Sequence, residues 1–122
     1  MLLPVLPTRL HGLLDYLGAL ILIGMPWTNG FTQYTWAPWI MFIMGIGVML
    51  YSLFTRYEWG YAGLISMRTH LWLDIISGLI LVISPWAFGF SSHVYEPHVI
   101  TGAVMIGIAL ITRTKPDRKS VV

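Results

Sequence analysis

Shifted against itself by 59 residues, the chain superimposes Arg9 on Arg68, His11 on His70, Asp15 on Asp74, Pro26 on Pro85, Trp27 on Trp86, Gly30 on Gly89 and Phe31 on Phe90. Eleven of the 23 residues from Arg9 to Phe31 are identical under that shift, where chance pairing in so biased a composition gives about two. Pro38 also falls on Pro97, although the second half of each unit matches more loosely. The duplication divides the chain into residues 1–59 and 60–122, and whatever fold it adopts must serve both units alike.

Each unit holds two apolar stretches, at about 10–25 and 39–54 in the first and 69–84 and 98–112 in the second. All four lie near the ~17-residue lower limit for a membrane-spanning helix. A soluble helical bundle would need a charged outer stripe on every helix. Here only 10% of the residues are charged, and none lies between Asp15 and Trp39. The expected fold is therefore all-α: four transmembrane helices in two tandem helical hairpins, packed as a four-helix bundle. Because each unit crosses twice, the repeats should be related by a pseudo-twofold axis along the membrane normal. Pro26-Trp27 and Pro85-Trp86 are expected to end the first helix of each unit, Gly-Phe to turn the chain, and Pro38 or Pro97 to start the second.

Arg9 precedes the first stretch, Arg56 and Arg68 separate the second from the third, and Arg113, Lys115, Arg118 and Lys119 follow the fourth. The other two connections carry no basic residue, so the positive-inside rule places both termini in the cytoplasm of a cell whose inner membrane the chain spans. Trp27, Trp36, Trp39, Trp86, Tyr34 and Tyr95 would form an outer aromatic girdle, and Tyr51, Tyr57, Trp59, Tyr61 and Trp72 an inner one. The basic tail reads as an anchor on anionic lipid, with no nucleic-acid partner expected. No basic segment precedes the first apolar run, so no cleavable leader is expected. With no cysteine, a disulfide framework, a thiolate metal site and a thiol nucleophile are all excluded.

The strings PTRLHGLLDYLGALILIGMPWTNGF and MRTHLWLDIISGLILVISPWAFGF resemble the two copies of the SPW repeat, a family of small integral membrane proteins. The Ser-Pro-Trp signature is matched by Ser84, Pro85 and Trp86, whereas Met25 replaces the serine before Pro26 and Trp27. The resemblance implies two transmembrane helices per repeat and a membrane address, with no settled biochemical activity.

His11 and Asp15 stand four residues apart, as do His70 and Asp74, so each pair shares one helix face. Asp15 lies six residues beyond Arg9, about 9 Å deeper, where a carboxylate must turn inward and find a donor. Gly18 and Ala19, like Ser77 and Gly78, would let the first and third helices touch, bringing the four polar groups together at the cytoplasmic end. Read blandly, the quartet is polar glue between hairpins. The alternatives are a divalent metal held by His11, Asp15, His70 and Asp74, a haem between the histidines, and a proton or ion route. The haem would be crowded by the aspartates, and the route would have to cross an apolar middle. At the outer end, Glu96 suits a helix start and His98 is expected to face headgroups.

No phosphate-cradling loop, serine nucleophile with a base or zinc-protease helix is present, so no catalytic residue is assigned. The expected function is that of a structural or accessory membrane component without enzymatic activity. It would need no cofactor and would associate with itself or with a membrane complex.

Overall fold

A computed structural model describes residues 1–117 and Val121, so Arg118 and Lys119 of the basic tail lie outside the described residues. Four α-helices follow one another: α1 (Thr8–Thr28), α2 (Ala37–Leu53), α3 (Met67–Ala87) and α4 (Glu96–Ile111). The first and third have 21 residues each and are long and apolar enough to cross a membrane. At 1.5 Å per residue each spans about 31 Å, close to the ~30 Å hydrocarbon layer. The other two are apolar but shorter, at 17 and 16 residues.

The repeated Pro-Trp does not end its helix. Pro26 and Pro85 sit inside the last turn, and the helices run on to Thr28 and Ala87. What ends them is the glycine that follows: Gly30 and Gly89 adopt φ of 70° and 75°, the left-handed region that a side chain disfavours. The Phe31 and Phe90 amides then donate back to the carbonyls of Pro26 and Pro85, at 3.0 and 2.8 Å. Both phenylalanine rings bury in the core, which completes the Schellman stop in each copy. The motif therefore encodes a helix terminus and the anchor that closes it.

Proline inside a helix deprives the carbonyl four residues earlier of its N–H. For Pro85 that carbonyl belongs to Leu81, and the buried Ser84 hydroxyl donates to it at 2.8 Å. The serine of the signature thus fills the gap its own proline makes. Met25, in the first copy, has no hydroxyl to offer and packs partly buried against the core.

The helices pack as two hairpins, α1 along α2 and α3 along α4, and the hairpins meet chiefly through α2 and α3. This corrects the expected role of the small residues. A Cβ on Gly78 would lie 2.6 Å from the Gly102 carbonyl oxygen of α4, and one on Gly45 would lie 2.9 Å from the Ala19 oxygen of α1. Small side chains therefore close each hairpin internally and do not join α1 to α3. Around Gly18 nothing lies within 4 Å of where a Cβ would stand.

Surface and interior are inverted relative to a water-soluble protein. Leu20, Ile21, Ile43, Leu79, Ile83 and Ile100 are exposed, while His11, Asp15, His70, Asp74, His98 and Ser84 are buried. Among the described residues, Arg9 and Arg68 lie in the first turns of α1 and α3, Arg56 lies between α2 and α3, and Arg113 and Lys115 follow α4.

Candidate functional site

The first turns of α1 and α3 place His11 and His70 one helical turn before Asp15 and Asp74, and all four side chains converge. One potential ligand atom from each lies within 4.8 Å of the others. Pairing runs across the repeats more tightly than within them. His11 Nε2 is 2.8 Å from Asp74 Oδ2 and 3.1 Å from Asp15 Oδ1 on its own helix. His70 Nε2 is 3.0 Å from Asp15 Oδ2 and 3.4 Å from its own Asp74 Oδ2. Contact between α1 and α3 is thus made by reaching side chains rather than by close backbones.

A second ring of hydroxyls holds the quartet. Thr55 and Thr112 each follow the last turn of a hairpin and donate to a carbonyl four residues back, that of Tyr51 at 2.6 Å and that of Ile108 at 2.5 Å. With its only proton committed, each threonine oxygen accepts from a histidine Nδ1–H: His70 to Thr55 and His11 to Thr112, both at 2.7 Å. The exchange is reciprocal, since the threonine that ends one hairpin orients the histidine that begins the other. The Nε2 atoms are left pointing at the carboxylates.

Tyrosines orient the carboxylates in turn. The Tyr57 hydroxyl donates to Asp15 Oδ2 at 2.7 Å and that of Tyr51 to Asp74 Oδ1 at 2.5 Å. Tyr57 lies in the connection between α2 and α3, where burial and the Asp15 carboxylate push its phenol well above the ordinary range, so it stays a donor. Neither belongs to the expected inner aromatic girdle, since Tyr57 is wholly buried and Tyr51 half-buried. Trp59, Tyr61 and Trp72 are exposed, as an aromatic belt requires.

Two chain segments cover the cytosol-facing end predicted for the quartet. The N-terminal strand of chain runs beside the end of α4, where the Leu3 and Leu6 amides donate to the carbonyls of Leu110 and Ile111 at 3.0 and 2.8 Å. On the other side the 54–66 connection lays Trp59 over Gly12, with its indole N–H on the Arg9 carbonyl at 2.8 Å. Glu58 accepts from the Thr8 hydroxyl at 2.7 Å and from the Asp117 amide at 3.0 Å. Towards the middle of the helices the core turns apolar at Ala19, Leu22, Val48 and Leu81. Between α1 and α4 a cavity of about 210 Å³, walled by Leu14, Ile21 and Val104, reaches His11, Asp15 and Asp74 from the side.

A haem does not fit between the histidines. Their rings stand edge to face with centroids 5.3 Å apart, and the two carboxylates fill the space a porphyrin would need.

At the far end, Glu96 is exposed in the first turn of α4, where a carboxylate complements the helix dipole. His98 does not face headgroups. Its ring is fully buried between Phe31 and Phe90, and its Nε2–H donates to the Ala37 carbonyl at 2.9 Å. It joins the start of α4 to the start of α2.

The family model described as SPW repeat domain matches residues 9–112. No curated protein and no solved structure matches the chain. The match covers both hairpins and all four members of the quartet. Together with two helices long and apolar enough to cross a bilayer, it points to a membrane protein.

Proposed function

Because the chain belongs to the SPW repeat family, we propose that it is a multi-pass protein of the inner membrane, with both termini cytoplasmic, in which His11, Asp15, His70 and Asp74 clasp two hairpin repeats. Its role is structural or accessory rather than enzymatic, exercised through association with itself or with a membrane complex. The observation that carries this reading is the inversion of surface and core: aliphatic side chains cover the outside while imidazoles and carboxylates bury against one another. An intramembrane carboxylate is tolerated when it is matched in this way. The crowding of basic residues at the quartet's end supports the orientation.

The absence of native cysteine makes the topology directly testable. Ser92→Cys, in the connection between α3 and α4, should react with an impermeant thiol reagent added to intact cells. Thr114→Cys, after α4, should react only once the membrane is opened. Labelling of both from outside would remove the four-span arrangement.

A further inference from the structure

We infer that the quartet is a closed site for one zinc-class divalent transition-metal ion per chain, ligated by His11 Nε2, His70 Nε2 and one oxygen each of Asp15 and Asp74. The inference rests on the clasp reading above and supplies the piece that closes the clasp.

The donor geometry has the right scale. Zinc bonds of about 2.0–2.2 Å in a tetrahedron put neighbouring ligand atoms roughly 3.3–3.6 Å apart. Here the nitrogen–oxygen separations run from 2.8 to 3.4 Å, with all four atoms within 4.8 Å. An ion at the centre needs the closest pairs to open by a few tenths of an ångström and the widest, at up to 4.8 Å, to draw in, both by side-chain torsions.

The site also contains a polar atom without a partner. His70 is wholly buried, and its Nε2 faces Asp15 and Asp74 yet aligns with neither for a hydrogen bond. Buried polar atoms in folded proteins are seldom left in that condition, and a bound ion is one of the ordinary ways to satisfy them. The threonines sharpen the point. With each Nδ1–H given to a hydroxyl whose own proton is already committed, each Nε2 turns to the centre, and a bound ion would there replace the proton that His11 Nε2 otherwise shares with Asp74 at 2.8 Å. Outer partners of this kind characteristically fix the ring and tautomer of a ligating histidine. Tyr51 and Tyr57 do the same for the carboxylates.

Charge and softness choose the ion. Two carboxylates and a dication sum to zero, the favourable total in a low-dielectric interior. Two imidazoles with two carboxylates suit zinc and its borderline neighbours better than calcium, which prefers an all-oxygen shell. Four protein ligands leave no open position, so the ion is structural.

The test uses the full chain in detergent, stripped with a chelator and reloaded with zinc chloride. Elemental analysis should return one zinc per chain, and zinc should raise Tm by roughly 5 °C or more. The His11→Gln/His70→Gln variant should lose the zinc, while His93→Ala, in the outer connection, should keep it. Cobalt provides a measurement independent of variant folding: the wild-type chain loaded with cobalt chloride should show the intense visible bands of a tetrahedral ion, abolished by zinc. Zinc well below one per chain, or cobalt bands of the weak octahedral kind, would overturn the metal. If Asp15→Asn and Asp74→Asn still lower Tm in that case, the clasp survives without it. If zinc binds stoichiometrically but those substitutions leave the metal-free Tm unchanged, the metal stands and the clasp reading falls.

Discussion

The Ser84 hydroxyl donates to the Leu81 carbonyl at 2.8 Å, taking the place of the N–H that Pro85 lacks. Ser84→Ala leaves that buried carbonyl without a donor and should destabilise the chain by about 1 kcal/mol, whereas Ser84→Thr should retain most of the stability. Thermal melting in one detergent compares them. An alanine variant as stable as the parent would show that the signature serine has another purpose.

Cross-repeat contacts within the quartet are shorter than those along each helix, and the difference is measurable by mutant cycles. His11 and Asp74, at 2.8 Å, should couple by about 1 kcal/mol or more, and more strongly than His11 with Asp15 at 3.1 Å. The required variants are His11→Gln, Asp15→Asn and Asp74→Asn, alone and paired, assayed by unfolding in detergent. Stronger coupling within a helix would mean that the hairpins are held together elsewhere.

Thr55 and Thr112 keep their shape as valine but lose the oxygen that each histidine needs. Thr55→Val or Thr112→Val should cost roughly 1–3 kcal/mol by stranding a buried Nδ1–H, with serine restoring most of it. Were zinc bound, the same substitutions should weaken its affinity by about 10–100-fold, read by chelator competition.

Two glycines on comparable helix faces should respond differently to a methyl group. Gly78→Ala places a carbon 2.6 Å from the Gly102 oxygen and must push α3 from α4, while Gly18→Ala meets nothing within 4 Å. The first should lower stability by about 1–3 kcal/mol, the cost typical of overpacking, and the second should be neutral or slightly favourable. Equal effects would contradict the hairpin packing.

That contrast also marks the boundary of what could be read from residues alone. The helices, their pairing into hairpins and the meeting of His11, Asp15, His70 and Asp74 were legible, because identical chemistry recurs at one fixed spacing and a helix converts spacing into a face. Which neighbour that face meets was not, and Gly78 packs on α4 rather than on the expected α1. Thr55 and Thr112 escaped for a different reason. Each is followed by arginine, but they lie 57 rather than 59 residues apart, and a rigid shift passes over them. Tyr51 and Tyr57 have the composition of a headgroup belt, and only their burial and hydroxyl contacts separate them from exposed aromatics such as Tyr61. Pro26 and Pro85 carry the usual meaning of a helix stop, but the glycines four residues later, Gly30 and Gly89, do the stopping.

The reciprocal exchange of histidine and threonine between repeats has a consequence for lineage. A lone hairpin would lack the threonine and the carboxylate that its histidine meets across the repeats, yet two identical copies, facing each other, could supply both. Gene fusion of such twins would require no new chemistry, only a connector, and the 54–66 segment with its Tyr57 and Trp59 is where a covalently joined pair is free to diverge from its symmetric forebear.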